Sequence, residues 1–129
     1  MDNKKKILIV DDDSFLLDTY TLRFEKSGFE VVSALGSELA LEKLKSGFNP
    51  DVMLIDVMMP VMDGFEFIEK IKENNLAVES IKIILSNRGQ TSDIEKGKEL
   101  GVNGCIIKAS STPSEVINQV IEIMNTKNN

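Results

Sequence analysis

The residues best suited to chemistry are Asp11, Asp12, Asp13, Asp56, Ser86 and Lys108. Carboxylates at close quarters can hold a hard dication, and one of them can act as a nucleophile. A hydroxyl and an ammonium beside them suit the oxygens of a phosphoryl group. Each residue also has a plainer role. Asp13 or Ser14 could simply cap a helix, Asp56 and Ser86 could bond to loop backbone, and Lys108 could be a surface cation. One cap does not account for three aspartates in a row after an apolar run. If the acids share one edge of a fold, they repel one another by about 1 to 4 kcal/mol per pair. A bound Mg²⁺, or Mn²⁺ in its place, relieves that conflict.

What could bring them together is the alternation of elements. Apolar runs at Ile7–Val10, Phe29–Val32, Val52–Ile55, Ile81–Leu85 and Cys105–Ile107 are short and β-branched, as strands buried on both faces are. Amphipathic stretches lie between and after them. Helices are predicted over Ser14–Lys26, over Ser37–Lys45, after Asp63, over Thr91–Leu100 and after Thr112. Asp63 with Glu66, and Thr112 with Glu115, have the spacing of capping boxes, and Pro113 suits a first helical position. Strand then helix, repeated five times, makes a parallel sheet with helices on both faces. Ligands bind such sheets beyond the carboxyl ends of the strands. Asp11–Asp13, Asp56, Ser86 and Lys108 follow four of those five ends.

Composition narrows the classes. The chain has 129 residues, 42% hydrophobic and 28% charged, which suits one globular domain of α/β type. Its net charge of −6 disfavours a nucleic-acid or anionic-membrane surface. With no histidine there is neither a histidine metal site nor a Ser-His-Asp triad. The single cysteine, Cys105, cannot form an internal disulfide, and no run is long enough to span a membrane, so a cytoplasmic protein is expected. Met58, Met59 and Met62 are expected to pack, because carboxylate neighbours select hard ions over thioether-bound ones. The chain is expected to be one domain over residues 1–129, ordered from about 5 to 125, with polar ends.

The stretches Ile7–Asp13, Asp51–Glu66, Ile81–Ser86 and Gly104–Lys108 resemble the receiver domain of bacterial two-component response regulators, of the stand-alone chemotaxis type. The Asp56-x-x-Met59-Pro60-x-Met62-Asp63-Gly64 segment is the most specific part. The resemblance implies a flavodoxin-like (βα)5 fold with strand order 2-1-3-4-5. It implies Asp56 as phosphoacceptor from a sensor histidine kinase or histidine phosphotransfer protein, and a further downstream protein partner. It implies Asp11, Asp12, Asp56 and the Met58 backbone carbonyl around Mg²⁺, and Ser86 and Lys108 on the phosphoryl group. Such a protein is not an enzyme on other substrates; it catalyses only its own phosphorylation and dephosphorylation.

Three positions depart from the family pattern. Ala109 replaces the proline after Lys108, so the Lys108–Ala109 bond is expected to be trans. Cys105 replaces the aromatic switch residue, and Asn87 stands where a small alanine is usual. Two other readings stay open: a receiver-like interaction module independent of phosphorylation, and a haloacid-dehalogenase-like phosphatase using Asp11 as nucleophile.

Overall fold

A computed structural model describes residues 4–87 and 91–127. Five strands, β1 (Lys6–Asp11), β2 (Glu30–Leu35), β3 (Val52–Asp56), β4 (Ile81–Ser86) and β5 (Gly104–Ile107), form one sheet. They pair in parallel in the order β2-β1-β3-β4-β5. The helices between and after them are α1 (Ser14–Lys26), α2 (Ser37–Lys45), α3 (Gly64–Glu73), α4 (Thr91–Glu99) and α5 (Pro113–Lys127), with a 3₁₀ turn at Lys108–Ser110 before the last.

Alternation along the central strands divides the core in two. Ile7, Ile9, Leu54, Ile83 and Leu85 pack beneath Leu17, Tyr20 and Phe24 of α1 and Val116 and Val120 of α5. Leu8, Val10, Met53, Ile55 and Ile84 pack on the opposite side against Leu41 and Leu44 of α2 and Phe67, Ile68 and Ile71 of α3. Burying β1, β3 and β4 on both sides leaves them no lateral freedom, so their ends are held in register.

Two expectations need correction. β2 and β5 are edge strands and are only partly covered, so burial on both faces holds for the three inner strands alone. β2 also begins one residue after Phe29 and runs on to Leu35, because an edge strand needs only one apolar face. Phe29 instead meets the Phe24 ring edge-on at 5.1 Å. α5 runs through Lys127.

The caps agree with the sequence. Asp13 accepts from the Leu16 amide, Asp63 and Glu66 bond reciprocally, and so do Thr112 and Glu115. Two backbone features set the approach to the β3 end. Val61 has φ 71°, a region that β-branched residues rarely occupy. Gly64 opens α3 directly against the strand end, donating to the Val57 carbonyl at 2.9 Å. A Cβ there would collide with the Asp56 carbonyl oxygen, so the helix reaches this position only with glycine.

Candidate functional site

β1 and β3 are neighbours, so Asp11 and Asp56, at their carboxyl ends, are brought side by side. Both are buried, while Asp12 is exposed at the rim. The three carboxylates place one oxygen each within 4.8 Å of one another. Lys108 reaches back from the end of β5, with Nζ 2.8 Å from Asp11 Oδ2 and 3.5 Å from Asp56 Oδ2. These are the ion pairs among the described residues.

The two buried acids differ in what they bind. Asp11 Oδ1 accepts from the Asp13 amide at 3.0 Å and Oδ2 takes Lys108, so both its oxygens are engaged. Asp56 Oδ1 is buried and has no hydrogen-bond partner among the described residues. Burial, then the Asp11 charge, push the Asp56 carboxyl up to about 7, and Lys108 pulls it back only in part. Burial alone would lower the Lys108 ammonium, but its bond to Asp11 and the Asp56 charge outweigh that and raise it. The cluster therefore carries excess negative charge at an oxygen with nothing to bind.

That excess is what a hard cation needs. Three carboxylates make an all-oxygen donor set, two of them anchored and the third open to water, which suits an octahedral dication with waters completing its shell. The orphaned Asp56 Oδ1 offers a ligand atom that no group among the described residues satisfies. Asp11, Asp12 and Asp56 thus fit a divalent metal. Met58 lies two residues past Asp56 in the loop leaving β3, its side chain 65% exposed, and Met59 is buried in the second core as expected of a packing residue.

Ser86 is fully buried at the end of β4, and its Oγ donates to Asp93 Oδ2 at 3.0 Å. Sequence reasoning missed Asp93, which sits in the first turn of α4 where no spacing rule ties it to Ser86. Cys105 is half-buried on β5, packing against the second core, and its thiol is pushed up by burial and by Asp93. Asn87 is exposed. Between Ser86 and α4, residues 88–90 lie outside the described residues. No cis peptide occurs among the described residues, so Lys108–Ala109 is trans, followed at once by the 3₁₀ turn. No helix among them is long and apolar enough to cross a membrane.

A parallel sheet in this order, with an acidic pocket at its carboxyl edge, defines a receiver fold. The response regulator receiver domain family matches residues 7–121, and the chain belongs to that family. The alkaline phosphatase synthesis transcriptional regulatory protein PhoP of Bacillus subtilis is 32% identical over 120 residues, 93% of this chain and 48% of that protein. The probable transcriptional regulator ycf27 of Cyanophora paradoxa is 35% identical over 88% of this chain and 46% of its own length. The chain spans about half the length of the curated relatives it matches. Among solved structures, the chemotaxis protein CheY4 of Vibrio cholerae superposes with a TM-score of 0.85 at 26% identity, covering 93% of this chain and 98% of that one. A CheY-like receiver domain protein from Methanospirillum hungatei gives the same score and identity over 98% of both chains.

Proposed function

We propose that this chain is a phosphoacceptor switch, taking a phosphoryl group onto Asp56 from a phosphohistidine of a sensor histidine kinase or phosphotransfer protein. The observation that carries this is the contrast between the acids: Asp56 Oδ1 is orphaned, whereas both oxygens of Asp11 are bound. The same contrast disfavours Asp11 as nucleophile. A carboxylate oxygen of Asp56 attacks phosphorus, the P–N bond breaks, and the electron pair leaves with the imidazole nitrogen, giving an acyl phosphate. Mg²⁺ held by Asp11, Asp12, Asp56 and the Met58 carbonyl would neutralise charge on the transferred group. Lys108 exchanges its bond to Asp11 for a phosphoryl oxygen. Ser86 does the same with its bond to Asp93, which frees a carboxylate in the first turn of α4. That release offers a route to the α4 surface without an aromatic ring at Cys105. The protein has no other substrate in this reading, and a cytoplasmic setting follows from its kinase donor.

A small acyl phosphate or phosphoramidate donor with Mg²⁺ should label Asp56, shown by borohydride trapping and mass spectrometry. Removing the dication or making Asp56→Ala should abolish the label. Label that persists in Asp56→Ala, or that maps to Asp11, overturns the assignment.

A further inference from the structure

Beyond the carboxylate pocket, an exposed, partly apolar surface lies between α2 and the loop that leads into α3. Leu35, Leu39, Pro60, Val61 and Met62 line a groove of about 500 Å³ that touches Asp12 at one corner. Leu35 is 50% exposed, Leu39 46% and Val61 85%. Val61 and Met62 also line a second hollow of about 290 Å³ along α3, so the two are continuous. Isolated apolar side chains on a surface need no explanation, but several that line one groove can anchor a partner segment.

The rim says what kind of contact. Glu38 and Glu42 border the first hollow. Glu69 and Glu73 border the second, with Lys70 as the single cation lining either. Glu66 is committed to the α3 cap. None of Glu38, Glu42, Glu69 and Glu73 is ion-paired among the described residues, where both ion pairs belong to Lys108. An apolar floor between unpaired acids repels an anionic membrane and nucleic acid. It is complementary to a segment with apolar anchors on one side and lysine or arginine on its flanks.

We propose that the groove between α2 and α3 docks a short, basic, amphipathic segment of a partner protein. Leu39 and Val61 take the apolar anchors, and Glu38, Glu42, Glu69 and Glu73 take the flanking cations. The surface borders the carboxylate pocket at Asp12 but does not include Asp56, and it can be tested with Asp56 intact and unphosphorylated.

The probe is a synthetic peptide of ~14 residues, with leucines at helical spacing and lysines between them. It is titrated into the ¹⁵N-labelled full chain, beside a control in which glutamates replace the lysines. The lysine peptide should bind saturably, with amide shifts confined to 35–42 and 60–73, and the glutamate peptide should not bind. Leu39→Ser should weaken binding about fivefold or more, as should Glu38→Gln combined with Glu42→Gln. These side chains are exposed or partly so, and unchanged melting temperatures would verify the fold. If Leu39→Ser melts lower, the glutamine pair decides. No binding, shifts scattered over other acids such as Asp18 and Glu95, or affinity unchanged in the glutamine pair would overturn the proposal. So would self-association of the free chain through this groove, since the occupant would then be a second copy.

Discussion

Two lysines, one at each end of the sheet, face opposite chemistry. Lys108, at the carboxyl edge, is pinned between Asp11 and Asp56. Lys82, near the amino edge on β4, donates instead to the backbone carbonyls of Ala77 and Ser80, at 3.0 and 3.1 Å. Both are partly buried. Burial lowers Lys82, with Lys72 adding to the effect and Glu79 opposing it. Lys108 rises because its carboxylate partners outweigh the same penalty. Burial alone therefore does not mark a functional cation. At the amino edge the ammonium closes a loop with neutral acceptors. At the carboxyl edge it half-neutralises a charge cluster that still has an unsatisfied oxygen.

The sharpest way to break the comparison is to remove each ammonium while keeping its stem. Lys108→Met leaves Asp11 and Asp56 facing each other uncompensated, and should cost about 3–5 kcal/mol in urea melts at pH 8 with chelator present. Protonating Asp56 near pH 5 should recover much of that loss. A loss of under about 1 kcal/mol at pH 8 would show that the cluster is not frustrated.

The next effect is in the wild type. Asp56 has a folded-state value near 7 against 3.8 for the free group, so the folded chain binds the extra proton. Its contribution is thus most favourable below about pH 4 and is lost as pH rises to about 7, by about 3–4 kcal/mol at 1.36 per unit. Other carboxylates slope the opposite way, so the measurement is the difference from Asp56→Asn. In chelator that difference should grow in the variant's favour from pH 4.5 to 8, and millimolar Mg²⁺ should shrink it by stabilising only the wild type. A difference flat with pH would refute the raised value.

The smallest effect belongs to Lys82→Met, about 1 kcal/mol, because the lost hydrogen bonds are partly offset by relief of a buried charge. It should be indifferent to Mg²⁺ and nearly constant between pH 5 and 8. A cost of the substitution that changed with Mg²⁺ would mean that the two ends communicate.

The same contrast explains what the sequence made legible. An apolar run that stops at an aspartate, serine or lysine announces a strand end, and parallel order sends all such ends to one edge. Asp11, Asp56, Ser86 and Lys108 could be gathered on that logic alone. Lys82 could not be understood in this way, since it interrupts Ile81-Lys82-Ile83 like any half-exposed strand residue. Its role depends on a turn with positive φ at Asn75 and Ala77, which nothing in their side chains requires. Asp93 was invisible for a related reason: its bond to Ser86 depends on how α4 starts after a polar loop. The capping boxes were fully legible because they are local. The limits of β2 were not, since edge strands lack the continuous apolar run that marks inner ones.

The unpaired glutamates around the α2–α3 groove have a kinetic consequence. They extend the negative field of the carboxylate pocket outward from Asp12, so partners of opposite charge meet opposite conditions on approach. A small anionic phosphodonor diffuses in against that field, and a basic segment is drawn along it. Near physiological ionic strength the field fades within about 8 Å, while at ~0.01 M it reaches about 30 Å. Raising salt therefore hastens the arrival of the first and slows that of the second, without altering any contact either makes once bound.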